Sequence, residues 1–208
     1  MKVKYPRTYH LPFSLGVTSD DKMLKNTSCF EGMDVVITEK MDGENTTIYS
    51  DAFHARSLDS RNHPSRNWIA KIQGEIGYKI PKNWRICGEN LYAKHSISYN
   101  NLPSYFLAFS IWDENNICLD WDSTVEFLNE LEIHHPTVLY RGVYSEENVK
   151  KIIKSLDLDV QEGFVVRLAK SFKYDDFSKS VAKFVRKGHV QTDEHWMHKE
   201  IIKNEVLN

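Results

Sequence analysis

The run KMDGEN, residues 40–45, sits between two stretches rich in β-branched residues, MDVVITE at 33–39 and NTTIYS at 45–50. Valine, isoleucine and threonine suit a pleated surface, and Asp-Gly is a strong turn signal, so this part of the chain predicts two strands around a tight turn. Lys40 then stands where the first strand ends. Taken alone, a lysine beside Asp-Gly reads as a solvated turn, and its meaning depends on what the rest of the chain sets around it.

Working outward, FHARSL at 53–58 alternates like a third strand, and the polar SRNHPSRN that follows reads as a loop. From Ser65, a candidate cap, Trp68, Ile69, Ile72 and Ile76 recur at helical spacing to about Tyr78. Strands are predicted at 84–92 and 104–112, then a helix after Asp122 carrying Val125, Phe127, Leu128 and Leu131, and another helix after Ser145. Strands at 162–169 and 180–186 follow, and 193–204 looks helical and polar. Strands come in neighbouring groups instead of alternating one for one with helices, which predicts an α+β fold of largely antiparallel sheets.

A chain of 208 residues can bury a real core. One domain over 1–208 is expected, with 1–27 as an N-terminal extension and 189–208 as a short C-terminal tail. Hydrophobic residues at 41% and charged ones at 27% exclude a disordered or fibrous chain. The longest apolar runs, at 35–37 and 106–111, fall far below the roughly 18 residues of a membrane span. Pro6, His10 and Pro12 interrupt the N-terminus, so no signal peptide is expected; a cytoplasmic monomer is. Cys29, Cys87 and Cys118 are odd in number and widely spaced, as reduced packing residues are. The nine histidines, His134-His135 and His189, His195 and His198 among them, lack His-Glu-x-x-His spacing, so no zinc site is expected. With a formal net charge of -2, any affinity for nucleic acid has to come from a local cluster of Lys and Arg.

After Lys40 come Asp42, Asn45, Arg56, Glu89, Phe109, the pair Glu162-Gly163 and Lys183, each in or beside a predicted strand. In order and spacing this set resembles motifs I, Ia, III, IV and V of the covalent nucleotidyltransferases, the superfamily of DNA ligases, RNA ligases and capping enzymes. The resemblance spans roughly residues 33–188. Asn45, GENLYAKHSISY at 88–99 and KFVRKGHVQTDEHW at 183–196 are most similar to RNA ligases of the RNA ligase 2-like branch.

The resemblance implies an ATP-grasp-like nucleotidyltransferase domain. Lys40 would take AMP from ATP and pass it to an RNA 5′-phosphate, and a 3′-hydroxyl would then seal the strand and release AMP. It implies Lys40, Asp42, Glu162 and Lys183 as catalytic residues, with Glu162 and Asp42 as the carboxylates facing Mg²⁺ or Mn²⁺. It further implies Phe109 stacking on adenine, Glu89 on the ribose, Arg56 on ribose or nucleic acid, Glu39 near the adenine edge, Asn45 in the motif I turn and Arg167 toward the phosphates.

Elementary chemistry points the same way. Attack on phosphorus needs a neutral amine, which a free lysine with a pKa of roughly 10.4 scarcely supplies near neutrality. A buried strand end near other cations would lower that pKa, and Lys183, with Arg186 or Lys187, could supply them and clamp the α-phosphate. Hard oxygen ligands suit Mg²⁺ or Mn²⁺. Arg56, Arg61, Arg66, Lys94 and His95 could alternatively line a polynucleotide path.

Two positions depart from the family pattern: Ser110 and Val185 stand where many ligases carry Asp and a second Lys, with Lys187 as a partial replacement. The stretch after Lys187 is too short for the OB-fold domain of DNA ligases, so no OB domain is expected. The other readings open at this point are a minimal DNA ligase, a GTP-using guanylyltransferase, and a non-catalytic nucleotide- or RNA-binding relative.

Overall fold

A computed structural model describes residues 2–59, 63–188 and 201–207. The strands are β1 (Tyr9–His10), β2 (Asp34–Glu39), β3 (Glu44–Ile48), β4 (Phe53–Ala55), β5 (Arg85–Asn90), β6 (Phe106–Trp112), β7 (Ile117–Cys118), β8 (Val138–Val143), β9 (Gly163–Leu168), β10 (Phe172–Lys173) and β11 (Val181–Val185). The helices are α1 (Asn67–Ile76), α2 (Trp121–Glu130), α3 (Glu146–Ser155) and the single-turn α4 (Phe177–Ser180). The fold is α+β, as the strand grouping predicts.

The two strands flanking KMDGEN do not pair with each other. β2 lies in a five-stranded sheet of order β1-β11-β9-β2-β8, and β3 in a six-stranded sheet of order β10-β7-β6-β5-β3-β4. Residues 40–43 therefore carry the chain from one sheet to the other, which places Lys40 at the junction. Every pairing is antiparallel except that of β1 with β11.

One core gathers Val35 and Ile37 of β2, Phe164, Val166 and Leu168 of β9 and Phe184 of β11 with Val149 and Ile152 of α3. Phe164 and Phe184 are registered partners whose rings stack at 5.2 Å. A second core packs Ile69 and Ile76 of α1 and Leu128 of α2 against Ile48, Ile86, Phe106 and Ile111 of the six-stranded sheet. Each such side chain, fully buried, contributes about 1.5–3 kcal/mol.

Several boundaries differ from expectation for identifiable reasons. Helix α2 starts at Trp121 and not after Asp122, because Asp120 caps it through the Ser123 N–H at 2.9 Å, while Asp122 pairs with Arg141. Ser65 is not the cap of α1 but sits in a preceding 3₁₀ turn, Pro64–Arg66. Strand β8 carries no clear sequence signal, being an edge strand with half-exposed residues and no clear alternation. Of the helix expected at 193–204, residues 193–200 lie outside the described residues; Lys203 bridges Ala93 and Val206 bridges Leu102 in extended contacts. The N-terminal segment is built into the core: β1 joins the five-stranded sheet, and Leu11 is fully buried. No helix among the described residues is long and apolar enough to cross a membrane.

Candidate active site

Two glycines bring the strands around Lys40 into close approach. A Cβ on Gly43 would lie 2.5 Å from the Asn90 carbonyl oxygen, and one on Gly163, at φ +151°, would lie 2.0 Å from that of Phe184. Only glycine lets β3 approach β5, and β9 approach β11, so tightly. The Lys40 N–H donates to the Gly163 carbonyl at 2.9 Å, which sets the lysine beside the Glu162-Gly163 pair.

Lys40 Nζ meets Glu162 Oε2 at 2.5 Å, with Glu162 itself 3% exposed. Glu89 stands opposite Asn45 across the β3–β5 pairing, and its Oε1 accepts the Gly43 N–H at 3.2 Å. Burial raises the Glu162 carboxyl even with the Lys40 ammonium beside it, and pushes Glu89 up to about 8. Burial alone would pull Lys40 down, but Glu162, Glu89 and Asp42 outweigh it and hold the amine above its ordinary value. This corrects the expected lowering by cations, since carboxylates dominate the charges around this lysine. Lys183 is the group lowered by burial, partly offset by Asp21. Arg186 is turned away onto the Leu158 and Asp159 carbonyls, and Lys187 is exposed.

Asp42 Oδ2 accepts from the Ser96 N–H at 2.8 Å, the Ser96 hydroxyl at 2.6 Å and the Ile97 N–H at 2.9 Å. The Asp42 N–H donates to the Tyr99 hydroxyl at 2.9 Å. One carboxylate oxygen thus holds the 92–99 loop against the site.

Phe109 owes its orientation to a bulge. The β5–β6 register passes from Cys87↔Ser110 to Gly88↔Ala108, leaving Phe109 without a partner. Its ring turns to the cleft, while Phe106 and Trp112 are 1% and 0% exposed in the cores. Arg167 is buried; it donates to the carbonyls of Phe109 at 3.3 Å, Leu119 at 2.7 Å and Leu168 at 3.2 Å. It borders the cleft as a strut behind Phe109, its guanidinium engaged by backbone carbonyls where the resemblance had it reaching toward the phosphates. Glu39, raised by burial and bonded to Gln161, also borders it.

Lys40, Asn45, Arg56, Glu89, Phe109 and Lys183 all line one cleft of about 640 Å³. Asn45 Oδ1 is buried on its wall without a hydrogen-bond partner, as an acceptor awaiting a ligand's donor would be. The carboxylate oxygens of Glu162 and Asp42 beside Lys40 are hard donors of the kind that suit a divalent cation. Of the candidates for a polynucleotide path, Arg66 is 6% exposed and ion-paired to Glu44, with Nε donating at 2.7 Å, so it is not available to one. Arg61 lies outside the described residues. Lys94 is fastened through its N–H to the Ile202 carbonyl, and His95 lines the cleft, its pKa lowered by burial. Tyr5, Arg7 and Asp21 also line the cleft, and no periodicity or motif in the first 27 residues marks them.

Comparison with known proteins follows this geometry. A family model described as RNA ligase matches residues 33–185. No curated protein matches the chain. Among solved structures, an archaeal ATP-dependent RNA ligase aligns at TM-score 0.61 and 15% identity, over 88% of this chain and 48% of that one. A Naegleria gruberi RNA ligase with PPi aligns at 0.57 and 17%, over 88% and 57%. A putative ATP-dependent DNA ligase from Aquifex aeolicus aligns at 0.55 and 20%, over 88% and 50%. Variants of the Naegleria protein were solved with ATP or AMP and manganese. The chain spans about half the length of these structures, and at such identities they share its fold. By the match across residues 33–185, the chain belongs to the RNA ligase family.

Proposed function

We propose that this chain is the nucleotidyl-transfer unit of an ATP-dependent RNA ligase, with Lys40 as the nucleophile. The observation that carries this reading is the setting of Lys40: it projects into a nucleotide-sized cleft, touches Glu162 and shares the cleft with Lys183. The Lys40 ammonium first gives one proton to solvent, its freed Nζ lone pair attacks the α-phosphorus of ATP, the bond to the bridging oxygen breaks as pyrophosphate leaves, and the new phosphoramidate nitrogen gives its second proton to solvent. An oxygen of the RNA 5′-phosphate then displaces Lys40 from the AMP phosphorus. Attack by a 3′-hydroxyl on the activated 5′-phosphorus expels AMP and seals the strand.

Phe109 supplies a ring face for the base, and Asn45 and Glu89 face each other on the cleft wall as polar partners for the sugar. Lys183 balances charge developing on the α-phosphate. Glu162 is the carboxylate suited to hold Mg²⁺ or Mn²⁺, with Asp42 as the second acid through its other oxygen. The ion's chemistry would be to neutralise the triphosphate and ease pyrophosphate departure.

Incubation with ATP labelled at the α-phosphate and Mg²⁺, followed by denaturing electrophoresis, tests the reading. Wild type is expected to retain label and Lys40→Ala to lose it; unlabelled wild type, or equal label on both, would refute it. The Aquifex match keeps a DNA-sealing reading in view, and nicked RNA and DNA duplexes offered to the labelled protein separate the two.

A further inference from the structure

The N-terminal segment reaches the cleft at Lys183, a contact that no motif requires. β1 runs parallel beside β11 with His10 in register with Lys183, and the Leu11 N–H donates to the Lys183 carbonyl at 2.8 Å. The chain then turns back through residues 18–24 and is tied to β1 again: the His10 N–H donates to the Lys22 carbonyl at 2.7 Å, and the Leu24 N–H to the His10 carbonyl at 2.8 Å. This double attachment places Asp21 beside the lysine. Its Oδ1 lies 3.6 Å from Lys183 Nζ. Its Oδ2 accepts from the Thr18 N–H at 3.1 Å and the Thr18 hydroxyl at 2.9 Å, and lies 3.3 Å from Nε2 of the fully buried His10. His10 Nδ1 is paired in turn with Ser14 Oγ at 2.8 Å, and that hydroxyl accepts the Val185 N–H at 2.9 Å.

A carboxylate in a cleft meant for a triphosphate repels the ligand, so its placement calls for another use. At 3.6 Å the Asp21 contact is an ion pair, which fixes where the ammonium sits and leaves its donors for a phosphate. We infer that Asp21, braced by Thr18 and His10, is a positioning residue that holds Lys183 over the α-phosphate site, so that the N-terminal segment completes the nucleotidyl-transfer centre. The inference rests on the proposed function for its chemistry, but the Asp21–Lys183 contact does not. The charged groups acting on this pair are Lys40 and Glu162 around Lys183, and His10 and Arg56 around Asp21. Burial pulls Lys183 down and Asp21 offsets this, while the Thr18 hydrogen bonds and Lys183 bring Asp21 to about 2 against its own burial.

Two measurements on Asp21→Asn and Asp21→Glu test this. In single-turnover adenylation at saturating ATP, Asp21→Asn is expected to lower the maximal rate about tenfold while leaving half-saturation within about threefold, and Asp21→Glu to recover most of the rate. In protein labelled with ¹⁵N-lysine, the Lys183 ammonium signal, identified by its loss in Lys183→Met, is expected to titrate about one pH unit lower in Asp21→Asn than in wild type. An unchanged rate with an unmoved titration would overturn the inference, as would equal impairment of both variants, which marks a purely structural role. If wild type forms no adduct the proposed function fails, and the titration alone then decides the pairing.

Discussion

Removing the Asn204 side chain should open the floor of the site without unfolding the molecule. Asn204 is 2% exposed, and its Nδ2 donates to the Leu91 carbonyl at 2.8 Å while its Oδ1 accepts the Tyr99 N–H at 2.9 Å. The main-chain bonds of Asn204 to Tyr92 and the Tyr105 hydroxyl remain in Asn204→Ala, so the loss is confined to two buried backbone groups left without partners. At about 1–2 kcal/mol each, the expected destabilisation of the 91–105 loop is about 2–4 kcal/mol. That corresponds to amide exchange at Tyr99 and Ile97 faster by roughly 30- to 900-fold, with the β9 and β11 amides unchanged. Because Asp42 is bonded to Ser96 and Ile97 in that loop, Lys40 adenylation is expected to slow several-fold in parallel. Exchange by mass spectrometry on wild type and variant reads the first effect, and label incorporation reads the second. Unchanged exchange at Tyr99, or acceleration spread evenly over both sheets, would refute the assignment of Asn204 as a local pin.

Gly163→Ala is expected to lose at least about 3 kcal/mol in urea denaturation, since its Cβ would meet the Phe184 carbonyl at 2.0 Å from a backbone that disfavours side chains; wild-type stability would contradict the geometry. Glu89 keeps its proton to about 8 when folded against an ordinary value of 4.5, so between these limits the folded state binds more protons and stability falls as pH rises. Glu89→Gln should therefore be more stable than wild type by about 1–3 kcal/mol near pH 8.5 and by under about 1 kcal/mol near pH 5, as thermal melts at the two pH values would show. Phe109→Ala should weaken ATP binding by about tenfold in calorimetry with a modest loss of stability, whereas Phe106→Ala should lose about 3–5 kcal/mol of stability.

The legible part of this protein was the part written in local patterns. β-branched runs marked β2, β3, β9 and β11, the Ile69, Ile72 and Ile76 spacing marked α1, and Asp-Gly marked the bend after Lys40. Pairing is not legible: nothing in KMDGEN says that its flanking strands enter different sheets, because that depends on β5, which follows β3 at a distance of about forty residues, and on β9, which lies more than a hundred beyond β2. The face of Phe109 was equally hidden, since a bulge in β6 depends on how β5 lies beside it. The charge state of Lys40 is hidden for the same reason: cations near it along the chain say nothing of Glu89 and Glu162, which arrive from two different sheets.

Both ends of the described chain bear on the site, and this explains why the motif residues alone underdetermine it. On one side β1 and the turn at 18–24 lean on β11 and reach Lys183 through Asp21. On the other, residues 201–207 run along 91–102 and support the loop that grips Asp42. Each contact is made by residues of unremarkable type, an aspartate in a polar turn and an asparagine in a strip of mixed character, whose importance comes only from burial and position. The proposed adenylation would demand that Lys40, Lys183 and the carboxylates keep their separations while a charged ligand enters, and strands that end at the cleft cannot hold their last residues rigid by themselves. Bracing from outside the motifs is what that demand calls for. Perturbing either brace should therefore slow the chemical step while leaving the motif side chains themselves intact.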